Sequence, residues 1–225
     1  MAEVSDIRVQ EFMVERTARV ATLGRFPARE LWLVLHGYGQ LADRFLRSFL
    51  PVARADRIIV APEALSRFYT SREPSRVGAT WMTSEGRESE IADYLRYLDR
   101  VIDSLAVDAT TFQVHGFSQG AATATRWVNH TGRPVRRLVL WGGGVAPEVD
   151  LAALRGRRPE MEWHLGVGST DEFITAAAVA AETARLRESG VSFALHRFPG
   201  GHIVDQATLV ELDSPGQRRD RTEVG

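Results

Sequence analysis

The sequence contains no cysteine and no lysine. Without cysteine there can be no thiolate nucleophile, no disulfide, no cysteine-bound zinc and no cysteine-held iron–sulfur cluster. All 28 basic residues are arginine, which removes Schiff-base chemistry, the phosphate-loop lysine and the Ser-Lys dyad. Nucleophilic catalysis is left with a hydroxyl or a carboxylate. An excess of charge is missing too: 28 basic and 29 acidic residues leave a formal net charge of −1. That balance gives no general attraction for nucleic acid or an anionic membrane. The arginine runs at Arg155, Arg157 and Arg158, and at Arg218, Arg219 and Arg221, are interspersed with acidic residues and read as solvated surface. No apolar run approaches the ~18 residues of a membrane span. Met1 to Asp6 lacks the apolar core of a signal peptide. The expectation is a cytoplasmic protein with no integral membrane segment, no metal and no cofactor.

The 225 residues are 44% apolar and 25% charged, which suits one domain with a substantial core. Residues 7 to 23 alternate loosely and predict a hairpin of exposed strands. Leu31 to Leu35 and Arg57 to Pro62 are continuous apolar runs of the kind buried on both faces of a parallel sheet. A helical pattern over 41–55 separates them. Residues 63 to 83 have no clear period. The spacing of Ile91, Tyr94, Leu95, Leu98, Ile102 and Leu105 predicts a helix over 84–105. Further strands are expected at 111–115, 138–141, 162–168 and 192–198, with helices at 119–130, 174–188 and 203–212. The polar tail from Ser214 to Gly225 is expected to be flexible. Strands alternating with helices imply the α/β class, with a mostly parallel sheet covered on both faces. In such folds ligands sit beyond the carboxyl ends of the strands, so site residues should lie just after strands.

Gly116-Phe117-Ser118-Gln119-Gly120 matches G-x-S-x-G between a buried strand and a helix, the setting of a nucleophile elbow. The glycines let the strained turn pass close to its neighbours, and Ala121, Ala122 and Ala124 let the helix approach the sheet. A serine hydroxyl needs a base. His115, His164 and His196 lie within strands, His130 ends a helix, and His36 begins a glycine loop. His202 alone follows the last strand, after Pro199-Gly200-Gly201. Asp171 follows the strand before it, 53 residues past the serine and 31 before the histidine. The order Ser…Asp…His is that of α/β-hydrolases. The neighbouring Glu172 is the alternative acid. For the oxyanion, the backbone N–H of Gln119 and that of Tyr38, in His36-Gly37-Tyr38-Gly39, are the candidate donors.

These segments, together with Ala61-Pro62, Gly168 to Asp171 and Gly201-His202, resemble the phospholipase/carboxylesterase family of α/β-hydrolases, which includes acyl-protein thioesterases. The resemblance runs from about residue 31 to 203. It implies an α/β-hydrolase fold without a large cap and a metal-independent serine esterase acting on small esters of short or medium acyl chains. Homodimers are common in the family. Trp81-Met82-Thr83 stands where family thioesterases carry Trp-Phe-Asp, which argues against protein depalmitoylation. Phe68, Trp81, Met82 and Phe173 are the candidate pocket residues, with Tyr69 as a further one. A thioesterase or lysophospholipase would use the same triad. A non-catalytic binding module is the reading from another class, and the intact serine, aspartate and histidine speak against it.

Overall fold

The computed structural model describes residues 7–71, 76–105 and 111–214. Along the chain, β1 (Val20–Leu23) precedes β2 (Glu30–Leu35), which leads through a four-residue α1 (Ala42–Phe45) and a 3-10 helix (Leu46–Val52) into β3 (Arg57–Pro62). A small hairpin of β4 (Ser66–Tyr69) and β5 (Val77–Thr80) follows, then α2 (Arg87–Ser104) and β6 (Thr111–Phe117). The second half alternates regularly: α3 (Gln119–His130), β7 (Arg137–Trp141), α4 (Leu151–Arg157), β8 (Glu162–Gly168), α5 (Ala176–Glu188), β9 (Ala194–Phe198) and α6 (Gln206–Asp213).

Seven strands form one sheet in the order β1-β3-β2-β6-β7-β8-β9. Every neighbouring pair is parallel except β1 with β3. From β2 the chain passes first to β3 on one side and later to β6 on the other. Strand order therefore reverses at β2, and the crevice beyond the carboxyl ends of β2 and β6 is where such sheets place a ligand. The loops that leave these two strands carry Tyr38 and Ser118.

The period of two divides the strand residues between two cores. Leu31, Leu33 and Leu35 of β2, with Ile58, Val60, Leu138 and Leu140, face α2 and α3 through Tyr94, Leu98, Ala121, Ala124 and Trp127. Trp32 and Val34, with Ile59, Val139 and Trp141, face the other way onto Phe45, Phe49 and Leu209. β2 and β3 are buried at every position, which is why both read as unbroken apolar runs.

Several expectations need correction. The hairpin expected over 7–23 is a single edge strand: residues 7–19 form no strand, and Ile7, Val9, Phe12, Met13 and Val14 are all exposed. No turn residue lies inside that stretch to close a hairpin. The helix expected over 41–55 is mostly 3-10, because Pro51 lies inside it and lacks the N–H an α-helix would use. The stretch 63–83, expected to be irregular, holds β4 and β5. Helix α2 begins at Arg87 rather than Ser84, with Gly86 at φ +62° as its cap. α4, unanticipated, is signalled only by its cap, Asp150, which accepts from the N–H of Ala153 at 2.9 Å. Of the tail expected to be flexible, residues 215–225 lie outside the described residues.

At the amino ends of β2 and β3 the guanidinium of Arg57 is completely buried. It donates to Glu30 at 2.8 Å, pairs with both oxygens of Asp213 and lies 3.9 Å over the Trp32 ring. This cluster fastens the end of α6 to the sheet, and α6 begins four residues after His202. Arg57→Ala would leave the buried Glu30 and the partly buried Asp213 with Arg54 as their remaining cation, at 2.6 and 3.6 Å. The expected cost is about 2–3 kcal/mol, read as a lower urea midpoint at unchanged slope. A loss below about 1 kcal/mol would show that the cluster is not what anchors α6.

Candidate active site

Ser118 occupies the single residue between β6 and α3. Its backbone sits at φ +52°, ψ −118°, and it is the only non-glycine residue with positive φ among the described residues. A side chain in this region costs about 1–3 kcal/mol, so the surroundings must hold it there. The Ser118 N–H donates to the Trp141 carbonyl at 2.8 Å, and its own carbonyl accepts from Ala121 at 2.9 Å. The flanking glycines are required by contact. A Cβ on Gly116 would lie 2.4 Å from the Gly120 carbonyl oxygen, and one on Gly120 would lie 2.2 Å from that of Leu35. The turn can be this tight only without side chains at either flank.

Asp171 and His202 come from the loops after β8 and β9. Those loops are stitched together by Ser169 N–H to the Phe198 carbonyl and Thr170 N–H to the Gly200 carbonyl, both 2.9 Å. The result is a 2.8 Å hydrogen bond between His202 Nδ1 and Asp171 Oδ2. The other carboxylate oxygen accepts from the N–H groups of Phe173 at 2.8 Å and Ile174 at 2.9 Å. Burial alone would raise the Asp171 pKa. The hydrogen bond from His202 and the two backbone N–H groups outweigh it and hold the carboxyl below the ordinary carboxylate range. An ionised Asp171 accepts only, so Nδ1 of His202 carries the proton and Nε2 is left with a lone pair. The Asp171 side chain is 1% exposed and that of His202 16%. Glu172 is exposed and makes no hydrogen bond or ion pair with the imidazole among the described residues.

The imidazole and the serine meet the same glycine loop after β7. A Cβ on Gly142 would lie 2.9 Å from the His202 ring and 3.4 Å from Asp171 Oδ2, while one on Gly143 would lie 2.7 Å from the Ser118 carbonyl oxygen. Phe117, the neighbour of Ser118, has its ring centroid 4.7 Å from that of His202. The Ser118 hydroxyl itself makes no hydrogen bond among the described residues. Nucleophile–base contacts are often long in a resting enzyme and tighten along the reaction.

The two candidate oxyanion donors share one property. Neither the Tyr38 N–H nor the Gln119 N–H donates to any acceptor among the described residues, whereas those of Gly37, Gly39 and Gln40 all do. Of the candidate pocket residues, Phe173 is exposed with its ring 4.8 Å from His202, and Phe68 packs 5.0 Å from the Tyr38 ring. Met82 is half-buried beside Arg126, with its sulfur 3.5 Å from Nη1, and Tyr69 is exposed. Trp81 is 3% exposed, packs against Tyr94 and His36, and is not among the residues lining the cavity beside the imidazole. A cavity of about 380 Å³ opens beside the imidazole, lined by Phe45, Phe117, His202, Ile203, Val204 and Ala207 among others. Sequence reasoning did not find Phe45, Ile203 or the side-chain role of Gln119.

No protein-family model matches the chain, and no curated protein matches it in sequence. Solved structures do match in shape. Esterase PE8 aligns with a TM-score of 0.67 at 20% identity, over 88% of this chain and 97% of its own. Acyl-protein thioesterase 2 of Zea mays also gives 0.67, at 16% identity over 88% and 96%. A carboxylesterase of Bacillus cereus gives 0.64, at 16% identity over 87% and 92%. The chain has the α/β-hydrolase fold. Ser118 stands at a strand-to-helix elbow, and Ser118, Asp171 and His202 follow one another in the chain order seen in that fold's triads. The fold carries no large cap here: only 20 residues separate Trp141 from Glu162, and they hold a loop and α4. Among the described residues no helix is long and apolar enough to cross a membrane, and no three His, Asp or Glu side chains are grouped to hold a metal ion.

Proposed function

We propose that the chain is a serine carboxylesterase that hydrolyses short- to medium-chain esters through an acyl-enzyme on Ser118. The observation that carries this reading is the 2.8 Å His202–Asp171 hydrogen bond, packed on the same loop as a serine in a strained elbow. Nε2 of His202 takes the Ser118 proton as Oγ attacks the ester carbonyl. The tetrahedral oxyanion accepts from the Tyr38 and Gln119 N–H groups, which already lack any other acceptor. The imidazolium, steadied by Asp171, then protonates the departing alcohol. Water, activated by the same nitrogen, attacks the acyl-enzyme, and the acid and Ser118 leave as they began. The printed names of the structural neighbours, esterase, acyl-protein thioesterase and carboxylesterase, favour this chemistry.

The choice of small esters rests on the uncapped site, which offers a long lipid chain no enclosed tunnel; the cavity of about 380 Å³ beside the base has room for a short group. The test compares kcat/KM on p-nitrophenyl acetate, butyrate, octanoate and palmitate with that on matched acyl-CoA thioesters. The expected optimum is butyrate or octanoate, with palmitate at least tenfold poorer. An optimum on palmitate, or a tenfold preference for the thioester, would transfer the assignment to a lysophospholipase or a thioesterase.

A further inference from the structure

The Tyr38 N–H is free because everything around it is tied. A peptide unit is planar and trans, so fixing its carbonyl aims its N–H in the opposite direction. In the unit joining Gly37 to Tyr38, the carbonyl oxygen accepts from His36 Nδ1 at 2.8 Å and from the Gln40 N–H at 3.3 Å. In the preceding unit, the His36 carbonyl accepts from the Trp81 indole N–H at 2.8 Å, and the Gly37 N–H donates to the Gln40 side-chain oxygen at 2.8 Å. The N–H of Gly39 is held by the Ala79 carbonyl at 2.9 Å. Two consecutive peptide units are thus clamped, and the one donor left over is that of Tyr38.

The tautomer of His36 is forced. Its Nε2 accepts from the Ala64 N–H at 3.0 Å, so the proton must be on Nδ1, where it is needed for the Gly37 carbonyl. The ring is wholly buried, and burial pushes its pKa down to about 4, with the Gly37 contact acting weakly the other way. The ring therefore keeps its Nε2 lone pair for the Ala64 N–H, and with it this tautomer, across the neutral range.

Trp81 is held in turn from the elbow. Its backbone N–H donates to the Gln119 side-chain oxygen at 3.0 Å, while the Gln119 amide nitrogen donates to the Met82 carbonyl at 2.8 Å and to Thr80 at 3.0 Å. Gln119 thus offers one backbone N–H to the oxyanion site and, through Trp81, braces the loop that offers the other.

We propose that His36 and Trp81 are positioning residues that aim the Tyr38 N–H at the oxyanion, with the Gln119 carboxamide tying this loop to the nucleophile elbow. This rests on the esterase reading above. The donor acts only on the charge that develops in the tetrahedral state, so misaiming it should lower kcat and leave substrate binding alone.

Trp81→Phe keeps an aromatic ring between His36 and Tyr94 and removes the indole N–H. The expected result is a fall in kcat of roughly ten- to a hundredfold, less than the loss of a whole donor. KM should stay within about threefold, and the affinity for a boronic acid that forms a tetrahedral adduct on Ser118 should weaken in step with kcat. An unchanged kcat in a folded variant would overturn the proposal. So would a raised KM at unchanged kcat, the mark of a pocket wall. If Trp81→Phe does not fold, Gln119→Met, at a half-buried position, keeps the backbone N–H of residue 119 but removes the carboxamide that braces Trp81, and should give the same split between kcat and KM; no change there would overturn it equally. Wild-type protein that neither hydrolyses esters nor reacts with a fluorophosphonate would instead bring down the esterase reading.

Discussion

Replacing Ser118 by alanine is expected to lower kcat for ester hydrolysis by about a million-fold, to the level left by binding and the oxyanion donors alone. The size of the effect follows from the chemistry. Without the hydroxyl there is no acyl-enzyme, and the His202–Asp171 pair has nothing to deprotonate but water in a site shaped for a serine oxygen. Fold and stability should hardly suffer. The strained φ of +52° at this position is disfavoured for alanine as for serine, so the variant keeps the same backbone penalty. Steady-state kinetics on p-nitrophenyl butyrate, with protein purified free of host esterases, would measure the ratio. A loss below about tenfold would mean that another residue is the nucleophile.

Asp171→Asn should be the second largest, at about ten-thousandfold in kcat. The isosteric amide keeps its size and can still accept at Oδ1 from Phe173 and Ile174. If its amino group takes the place of Oδ2, it donates to His202 Nδ1 and so drives the proton to Nε2. The imidazole would then present a proton to Ser118 where a lone pair is needed. It would also lose the negative charge that stabilises the imidazolium. Glu172→Gln is the control, because Glu172 is exposed and makes no hydrogen bond to the ring; its activity should stay within about threefold of wild type. If the two variants exchanged these effects, Glu172 would be the acid.

The parts of this arrangement that sequence reasoning could reach are those carried by order along the chain. β2 and β3 announce themselves as apolar runs because both faces of the sheet are covered. Once they are placed, the rule that sites follow strand ends selects Ser118, Asp171 and His202 and sets aside His115, which is 1% exposed and stacked on Trp32. What escaped depends on side chains meeting across distant segments. Trp81 offers no period or motif, only a large aromatic in an irregular stretch, and a pocket wall was a reasonable expectation. Its indole N–H meets the His36 carbonyl 45 residues away, a contact set by how β5 leads back over the elbow. β4 and β5 were illegible for a similar reason. Each has four residues, and their apolar positions are diluted by Arg67, Gly78 and Thr80. The 7–19 segment misled in the opposite sense: its loose alternation suggested strands, yet its apolar side chains have no face to pack on.

A fluorophosphonate probe puts the mechanism to its most direct trial. Intact-mass analysis of treated protein, followed by peptide mapping, should show one phosphonyl group per chain, on the hydroxyl at position 118, with none on Ser118→Ala and a much slower reaction in Asp171→Asn. An unmodified wild-type protein, or an adduct on any other residue, would contradict the assignment of Ser118 as an activated nucleophile and with it the reading of this fold as an esterase.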